Sequence, residues 1–187
     1  MRIENTFTVA APADAAWGLL MDVPRVIPCM PGAELDEVVD ESHWRATMHV
    51  KLGPISLTFA TDVERSETDE AGKRVVLVAT AREVKNRGRA QASVESSLAP
   101  DEGGTRVQLN TDLTLSGPAA QFGRGLIQDI SSQLIKSFAD CLEAQLGVTP
   151  EEAAAATAAQ ARPVGGLSLF FAALARKLSR LFGRRPK

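Results

Sequence analysis

The residue types that most often carry enzyme chemistry are few in this chain and poorly placed for it. Cys29 and Cys141 lie far apart, with no further cysteine at a metal or redox spacing, and we predict that both are reduced and semi-buried. The chain has no cysteine cluster for iron–sulfur, no glycine-rich dinucleotide loop, and no grouping of histidines with carboxylates. We therefore expect no bound metal and no covalently attached cofactor.

The other candidates for acid–base or nucleophilic chemistry are two histidines, two acidic pairs and two adjacent serines: His43, His49, Asp36, Glu37, Asp40, Glu41, Ser131 and Ser132. The histidines alternate with the apolar residues of a strand pattern, which predicts that they face solvent. The acidic pairs fall at turns or strand edges, and the serines have no identifiable histidine or aspartate partner. These patterns favour a protein that is not an enzyme.

Hydrophobic periodicity predicts the elements that hold these residues. Ile3–Val9 predicts a first strand, followed by a short helix that Pro12 opens and a second helical turn that stops at Pro31-Gly32. Six more strands are predicted at about 35–39, 43–51, 54–65, 73–84, 87–99 and 104–115, and a long helix at 119–146, before Gly147. This spacing is typical of an antiparallel meander.

The inward faces of the strands predict a concave apolar wall, which the long helix covers with a stripe that repeats every four residues. We expect a cavity lined by Trp17, Met21, Ile27, Met30, Trp44, Met48, Leu57, Phe59, Phe122, Leu126, Ile130, Leu134 and Phe138. The central-strand alanines Ala79, Ala81, Ala90 and Ala92 either let the helix approach closely or leave a void for a ligand. The helical segment before Pro31-Gly32 is the predicted mouth, because it opens more cheaply than a sheet.

The last part of the chain predicts a basic amphipathic helix that this core does not need. Its apolar residues are Leu167, Phe170, Phe171, Leu174, Leu178, Leu181 and Phe182, and its basic residues are Arg176, Lys177, Arg180, Arg184, Arg185 and Lys187. Such a helix suits an anionic membrane surface, and at about 24 Å it is too short to span a hydrocarbon core of about 30 Å. Docking on the protein body or on a partner is the second interpretation. We do not expect a nucleic-acid partner.

Charge divides the chain in the same place. Residues 1–161 contain 14 Lys/Arg and 23 Asp/Glu, a net charge of −9, whereas residues 162–187 contain 7 Lys/Arg and no acid, a net charge of +7. We predict a ligand-binding domain at 1–147, a flexible Ala/Pro/Gly tether at 148–166 and a membrane-binding helix at 167–187. The N-terminal residues lack the apolar run of a secretory signal, so we expect a peripheral protein on the cytoplasmic face of the cell membrane.

Several stretches of the chain are similar to one protein family. They are Ala11-Pro12 with Ala16-Trp17, Ile27-Pro28-Cys29-Met30-Pro31-Gly32, Val50-Lys51-Leu52-Gly53-Pro54-Ile55, Gly103-Gly104-Thr105-Arg106-Val107 and Gly117-Pro118-Ala119-Ala120-Gln121-Phe122-Gly123-Arg124. With the element order, they resemble the CoxG family of carbon monoxide dehydrogenase accessory proteins, in the START-like (SRPBCC) ligand-binding superfamily. The resemblance covers about residues 1–146. It implies an α+β helix-grip fold, in which a curved seven-stranded antiparallel sheet wraps a long C-terminal helix and two short helices follow the first strand.

The resemblance also implies an accessory role beside an aerobic carbon monoxide dehydrogenase, a molybdenum, flavin and iron–sulfur enzyme. Moving an isoprenoid tail from lipid into water costs about 0.8 kcal/mol per exposed CH₂, a cost that a carrier cavity removes. We therefore expect a non-covalently bound respiratory quinone, menaquinone or ubiquinone, which the protein delivers to the dehydrogenase for electron transfer to the respiratory chain.

Two alternatives stay open. The protein could be an adaptor that carries no ligand and recruits or helps assemble the dehydrogenase at the membrane. It could also be a hydrolase or cyclase on the same fold, but that function needs a polar constellation inside the cavity, and strand alternation does not predict one.

Overall fold

One sheet and three α-helices form the part of the chain that the structure describes. The computed structural model describes residues 1–52, 55–121 and 123–147. Its elements are β1 (Arg2–Val9), α1 (Ala13–Met21), α2 (Val23–Val26), a 3₁₀ helix (Ile27–Cys29), β2 (Ala33–Val38), β3 (His43–Leu52), β4 (Ile55–Asp69), β5 (Arg74–Glu83), β6 (Arg89–Asp101), β7 (Gly104–Leu115), a second 3₁₀ helix (Gly117–Gln121) and α3 (Arg124–Leu146). The predicted tether and tail helix lie outside the described residues.

The strands pair in the order β1-β7-β6-β5-β4-β3-β2, and every pair is antiparallel. Strands β2 to β7 follow one another as a meander, and β1 closes the order by pairing with β7. The Pro31-Gly32 turn leads into β2 with Gly32 at φ +84°, where a Cβ atom would collide with the carbonyl oxygen of His49. The predicted helix-grip fold, with a seven-stranded antiparallel sheet, is confirmed.

Helix α3 packs mainly against β1 and the first 3₁₀ helix. Phe138 lies edge-to-face with Phe7 of β1 at 6.1 Å between ring centroids, which places this end of the helix firmly on the sheet. The helix begins at Arg124, later than the predicted start at 119, because Gly123 is extended (φ −65°, ψ 154°) and the preceding residues form the second 3₁₀ helix. Among the described residues, no helix is both long enough and apolar enough to cross a membrane.

A disulfide joins the first 3₁₀ helix to α3. The Sγ atoms of Cys29 and Cys141 are bonded, with their Cα atoms 5.4 Å apart, and Cys29 is buried. The prediction of two reduced cysteines is therefore wrong. Spacing along the chain does not reveal such a pair, because the fold brings together two elements separated by 112 positions. The Gln145 side-chain amide also donates to the Arg25 carbonyl at 3.0 Å, so the same two segments are tied twice.

Replacing both cysteines, Cys29→Ser with Cys141→Ser, should lower the free energy of unfolding by about 2–4 kcal/mol. The bond closes a long loop, 112 residues in sequence separation, and so restricts the unfolded chain. Guanidinium unfolding of the double variant, beside wild type with and without a thiol reductant, measures the difference. Reduced wild type should match the double variant, and equal midpoints for oxidised and reduced wild type would contradict the prediction.

Glu83 is a carboxylate buried at the end of β5, where it organises the turn into β6. Its side chain is 1% exposed and accepts from the Arg87 guanidinium at 2.6 Å and from the backbone N–H groups of Lys85 and Arg87 at 2.8 and 3.1 Å. The Arg87 hydrogen bond, helped by the two backbone bonds and opposed by burial, lowers the pKa of Glu83 from 4.5 to about 2. The carboxylate is therefore ionised at neutral pH.

Glu83→Gln should lower the midpoint of thermal unfolding at pH 7. A carboxyl whose pKa is lower in the folded protein than in the unfolded chain adds stability above the unfolded pKa, and this stability disappears as the pH falls from about 5 towards 2. The gap between wild type and variant should therefore shrink over that interval. Glu102→Gln, at an exposed glutamate of the β6–β7 turn, is the matched control and should show no such gap. A gap that stays constant from pH 7 to pH 3 would refute this role of the charge.

Candidate functional site

A cavity of about 480 Å³ lies between the inner face of the sheet and the helices α2, the first 3₁₀ helix and α3. Its volume falls within the range of about 300–1,000 Å³ that is typical of small-molecule sites. All seven strands contribute inward-facing residues to its lining. The cavity is therefore the space that the helix grip encloses, as strand alternation predicts.

The floor of the cavity is built from alanines. Ala79 of β5 is paired with Ala92 of β6, Ala81 is paired with Ala90, and all four line the cavity. Since α3 packs mainly against β1, at the far side of β7, the small side chains do not serve close contact with the helix. Of the two interpretations of these alanines, the structure favours a void that a ligand can fill.

The structure brings most of the predicted lining residues together. Those that lie along the cavity are Ile27, Met30, Met48, Leu57, Phe59, Ile130, Leu134 and Phe138. They come from the first 3₁₀ helix, from β3 and β4, and from α3. The same strand faces add further apolar residues that the prediction omitted, among them Ile3, Val50, Val94, Leu113 and Leu115.

Leu126 is a correction to the predicted lining, because its side chain is 44% exposed and lies outside the cavity. A stripe of one residue every four advances by about 400° per step and so drifts by about 40° around the helix. The face that lines the cavity follows the 3.6-residue period instead: Ile127, Ile130, Ser131, Leu134, Ile135 and Phe138. Phe122 lies outside the described residues.

Trp17, Met21 and Trp44 are also placed away from the cavity wall. Trp17 is buried in the core where α1 meets β6, β7 and α3, and Met21 packs against that core. Trp44 is buried, and the Arg65 guanidinium covers its ring at 5.0 Å from the centroid while donating to the Met21 carbonyl at 3.0 Å. Tertiary packing at one end of the sheet thus uses these large side chains as core.

A small polar group lies inside the otherwise apolar cavity. The Asn5 side-chain amide donates to the Ser131 hydroxyl at 2.9 Å, and Ser96 and Thr111 line the same cavity. The prediction of no polar constellation there, and of Ser131 as an ordinary helix position, is therefore corrected. Alternation does place Asn5 between the inward residues Ile3 and Phe7, and this signal could have revealed it.

The remaining candidates for chemistry lie on the outer face of the sheet or at its edge. His43 and His49 are about half exposed, and His43 contacts Asp40 at 2.9 Å. The Ser42 backbone N–H, with His43 and the Ser42 hydroxyl, lowers the pKa of Asp40 to about 2, so this carboxylate is ionised at neutral pH. In the described part of the chain, no group of three or more histidines, cysteines and carboxylates is arranged to hold a metal.

The disulfide bears on the predicted mouth of the cavity. Ile27 and Met30 line the cavity on either side of Cys29, which is bonded to α3. While this bond is intact, the 3₁₀ helix cannot separate from α3 at that point. Movement of the predicted mouth is therefore confined to the residues that follow, up to the Pro31-Gly32 turn.

Comparison with protein families gives one match, over residues 6–147, to the model of the carbon monoxide dehydrogenase protein CoxG. The matched region contains the residues that line the cavity, apart from Ile3 and Asn5 of β1. A comparison with curated proteins finds no match.

Solved structures support the fold. A conserved protein from Geobacillus kaustophilus has a TM-score of 0.70 at 15% identity, over 79% of this chain and 95% of that protein. The Zhui aromatase/cyclase from Streptomyces sp. R1128 has a TM-score of 0.56 at 17% identity, over 79% and 93%. A START superfamily protein from Mycobacterium smegmatis has a TM-score of 0.50 at 15% identity, over 78% and 97%. At such identities the likeness concerns the fold alone.

Proposed function

This chain belongs to the CoxG family of carbon monoxide dehydrogenase proteins, and we propose that it carries a respiratory quinone between the membrane and a carbon monoxide dehydrogenase. In this function the protein has no catalytic residue of its own. It shields the isoprenoid chain from water and presents the ring to the dehydrogenase, which performs the redox chemistry. The ligand is held non-covalently, as menaquinone or ubiquinone.

The alanine floor is the observation that carries this proposal. Ala79, Ala81, Ala90 and Ala92 leave space above the centre of the sheet, where larger residues would fill the core. An empty apolar space gives up the dispersion contacts that its walls would otherwise make, so it lowers stability unless it serves a ligand. A hydrophobic ligand restores those contacts.

The site suits an uncharged ligand with an apolar chain. The residues that line the cavity are aliphatic or aromatic, together with a few hydroxyl and amide side chains, and none of them is charged. Met30 and Met48 have flexible side chains that adapt to an irregular isoprenoid chain. A respiratory quinone has this combination of a neutral ring and a branched hydrocarbon tail.

The proposed carrier needs access to lipid, and the predicted helix at 167–187 supplies it. Its Leu/Phe residues would enter the interface between headgroups and acyl chains, and its basic residues would contact anionic headgroups. The predicted tether at 148–166 would let the ligand-binding domain move between membrane and dehydrogenase. This arrangement places the protein at the cytoplasmic face of the membrane.

Native mass spectrometry of the full-length chain, purified from its own host without detergent, tests the proposal. Solvent extraction and lipid analysis of the same sample identify whatever is bound. We expect a stoichiometric isoprenoid quinone. An empty protein that also fails to take quinone from liposomes would refute the carrier function and favour an adaptor that only holds the dehydrogenase at the membrane.

A further inference from the structure

Four uncharged polar side chains meet on one wall of the apolar cavity: Asn5 of β1, Ser96 of β6, Thr111 of β7 and Ser131 of α3. We call them the polar cluster. The Asn5 amide nitrogen and the Ser131 hydroxyl are 2.9 Å apart, so the cluster bridges the sheet and the helix that covers it. Ser96 is 6% exposed, which means that almost the only space its side chain can face is the cavity.

Strand register explains why these residues meet. Leu109 of β7 is paired with Asn5 on one side and with Ser96 on the other. Thr111 lies two residues further along the same inner face, so it is a diagonal neighbour of both. Diagonal neighbours are about 7–8 Å apart, a separation that one ring-sized head group can bridge.

The cluster has hydrogen-bonding capacity that the protein does not use. Asn5 has two N–H donors and a carbonyl acceptor, of which one donor is engaged by Ser131. Within residues 1–52, 55–121 and 123–147, no side-chain hydrogen bond is made by the hydroxyl of Ser96 or of Thr111. Polar groups in an apolar enclosure are unfavourable unless a ligand or water satisfies them.

The absence of charge from the described lining residues narrows the class of head group. A carboxylate or phosphate would be buried without a cation to pair with it, which is strongly unfavourable. A neutral oxygen, either a carbonyl or a hydroxyl, meets no such penalty. The cluster therefore selects against fatty acids and phospholipids and accepts a neutral oxygenated ring.

Hydroxyl and amide side chains both donate and accept hydrogen bonds. They can donate to the carbonyl oxygens of a quinone, and by rotating their hydroxyls they can accept from the hydroxyl groups of the corresponding quinol. We infer that the polar cluster holds the ring oxygens of the ligand and binds the oxidised and reduced forms with similar affinity. This inference rests on the proposed function, and it supplies what a carrier needs to collect one redox form and release the other.

Calorimetric titration of the full-length protein with three probes tests the inference. The probes are a 1,4-naphthoquinone with one prenyl chain, its quinol prepared anaerobically and freed of reductant, and the prenylnaphthalene that lacks both oxygens. Wild type should bind quinone and quinol within about threefold of each other, and both about 3- to 10-fold more tightly than the hydrocarbon. The variant with Asn5→Leu and Ser131→Ala should bind all three with the affinity of the hydrocarbon.

Ser132→Ala is the matched control, because Ser132 is exposed on the other face of α3, where it donates to the Gln128 carbonyl at 3.0 Å. It should keep the wild-type preference. If the double variant does not fold, Ser96→Ala with Thr111→Val removes two hydroxyls of the same cluster with little change in shape and should weaken the preference.

The possible failures are distinguishable. Wild type that binds quinone and hydrocarbon equally, or quinone much more tightly than quinol, would overturn the inference and leave a hydrophobic-ligand carrier in place. Retention of the full preference in the Asn5→Leu and Ser131→Ala variant would overturn the assignment to these residues. Wild type that binds none of the three probes would overturn the proposed function itself.

Discussion

Ala92→Trp should empty the cavity of ligand without unfolding the protein. Ala92 lies at the centre of the alanine floor, paired with Ala79 and Leu113 on neighbouring strands. An indole ring at this position would occupy space that the ligand needs. It would displace about 200 Å² of apolar contact, or about 4–5 kcal/mol, which corresponds to on the order of a thousandfold in affinity.

The matched control for this variant is Ala60→Trp. Ala60 lies on the outer, exposed face of β4, opposite Thr47 and Arg82, so the same change adds the same ring on the other side of the sheet. Native mass spectrometry of both variants should find quinone with Ala60→Trp and none with Ala92→Trp. Thermal unfolding should show that Ala92→Trp is at least as stable as empty wild type, because the ring fills a void.

The same pair of variants separates a carrier from an adaptor. In a carrier, Ala92→Trp stops electron transfer from carbon monoxide to the respiratory chain, while Ala60→Trp leaves it intact. An adaptor would keep its function in both variants. Normal respiration on carbon monoxide with a fully blocked cavity would therefore sink the carrier proposal.

Deleting residues 163–187 should abolish sedimentation with anionic vesicles. The deletion removes six basic residues and the whole Leu/Phe arc. Each basic residue near an anionic surface contributes about 1 kcal/mol, so the loss of charge alone should reduce partitioning by more than about a thousandfold. Cosedimentation with phosphatidylserine-containing vesicles, across a series of salt concentrations, measures the effect.

The truncated protein should stay folded, because the deletion begins well after the compact unit Met1–Gly147. A full-length variant in which the six basic residues are changed to glutamine separates charge from apolar burial. It should bind anionic vesicles weakly and lose its dependence on salt. Undiminished sedimentation of the truncated protein would show that the membrane contact lies in the body of the chain.

Local patterns in the sequence were enough to predict the sheet and its faces. Residues two apart in a strand share a face whatever the rest of the chain does, so the inward positions of β3, β4 and β7 could be assigned without coordinates. The Pro31-Gly32 turn was equally local, since Gly32 adopts a positive φ. For this reason the alternation of His43 and His49 also placed them correctly on the outer face.

The helix face was harder to predict because it depends on which side of α3 meets the sheet. A stripe of every fourth residue and a stripe at the 3.6 period share Ile130, Leu134 and Phe138, but they diverge towards the helix start, where Leu126 turns to solvent. Trp17 and Trp44 were misplaced for a related reason. A large aromatic residue on an inward face can belong to the core or to a cavity wall, and only the packing of α1 and Arg65 decides which.

Contacts between distant parts of the chain were decided by the tertiary structure alone. The Cys29–Cys141 bond, the hydrogen bond from Asn5 to Ser131 and the space above the alanine floor all depend on where α3 lies over the sheet. By itself the sequence determined the strands, their inward faces, the overall fold class and the division of charge between body and tail. These follow from local periodicity and composition, whereas the cavity and its polar cluster follow from the distances between elements, which no local pattern encodes.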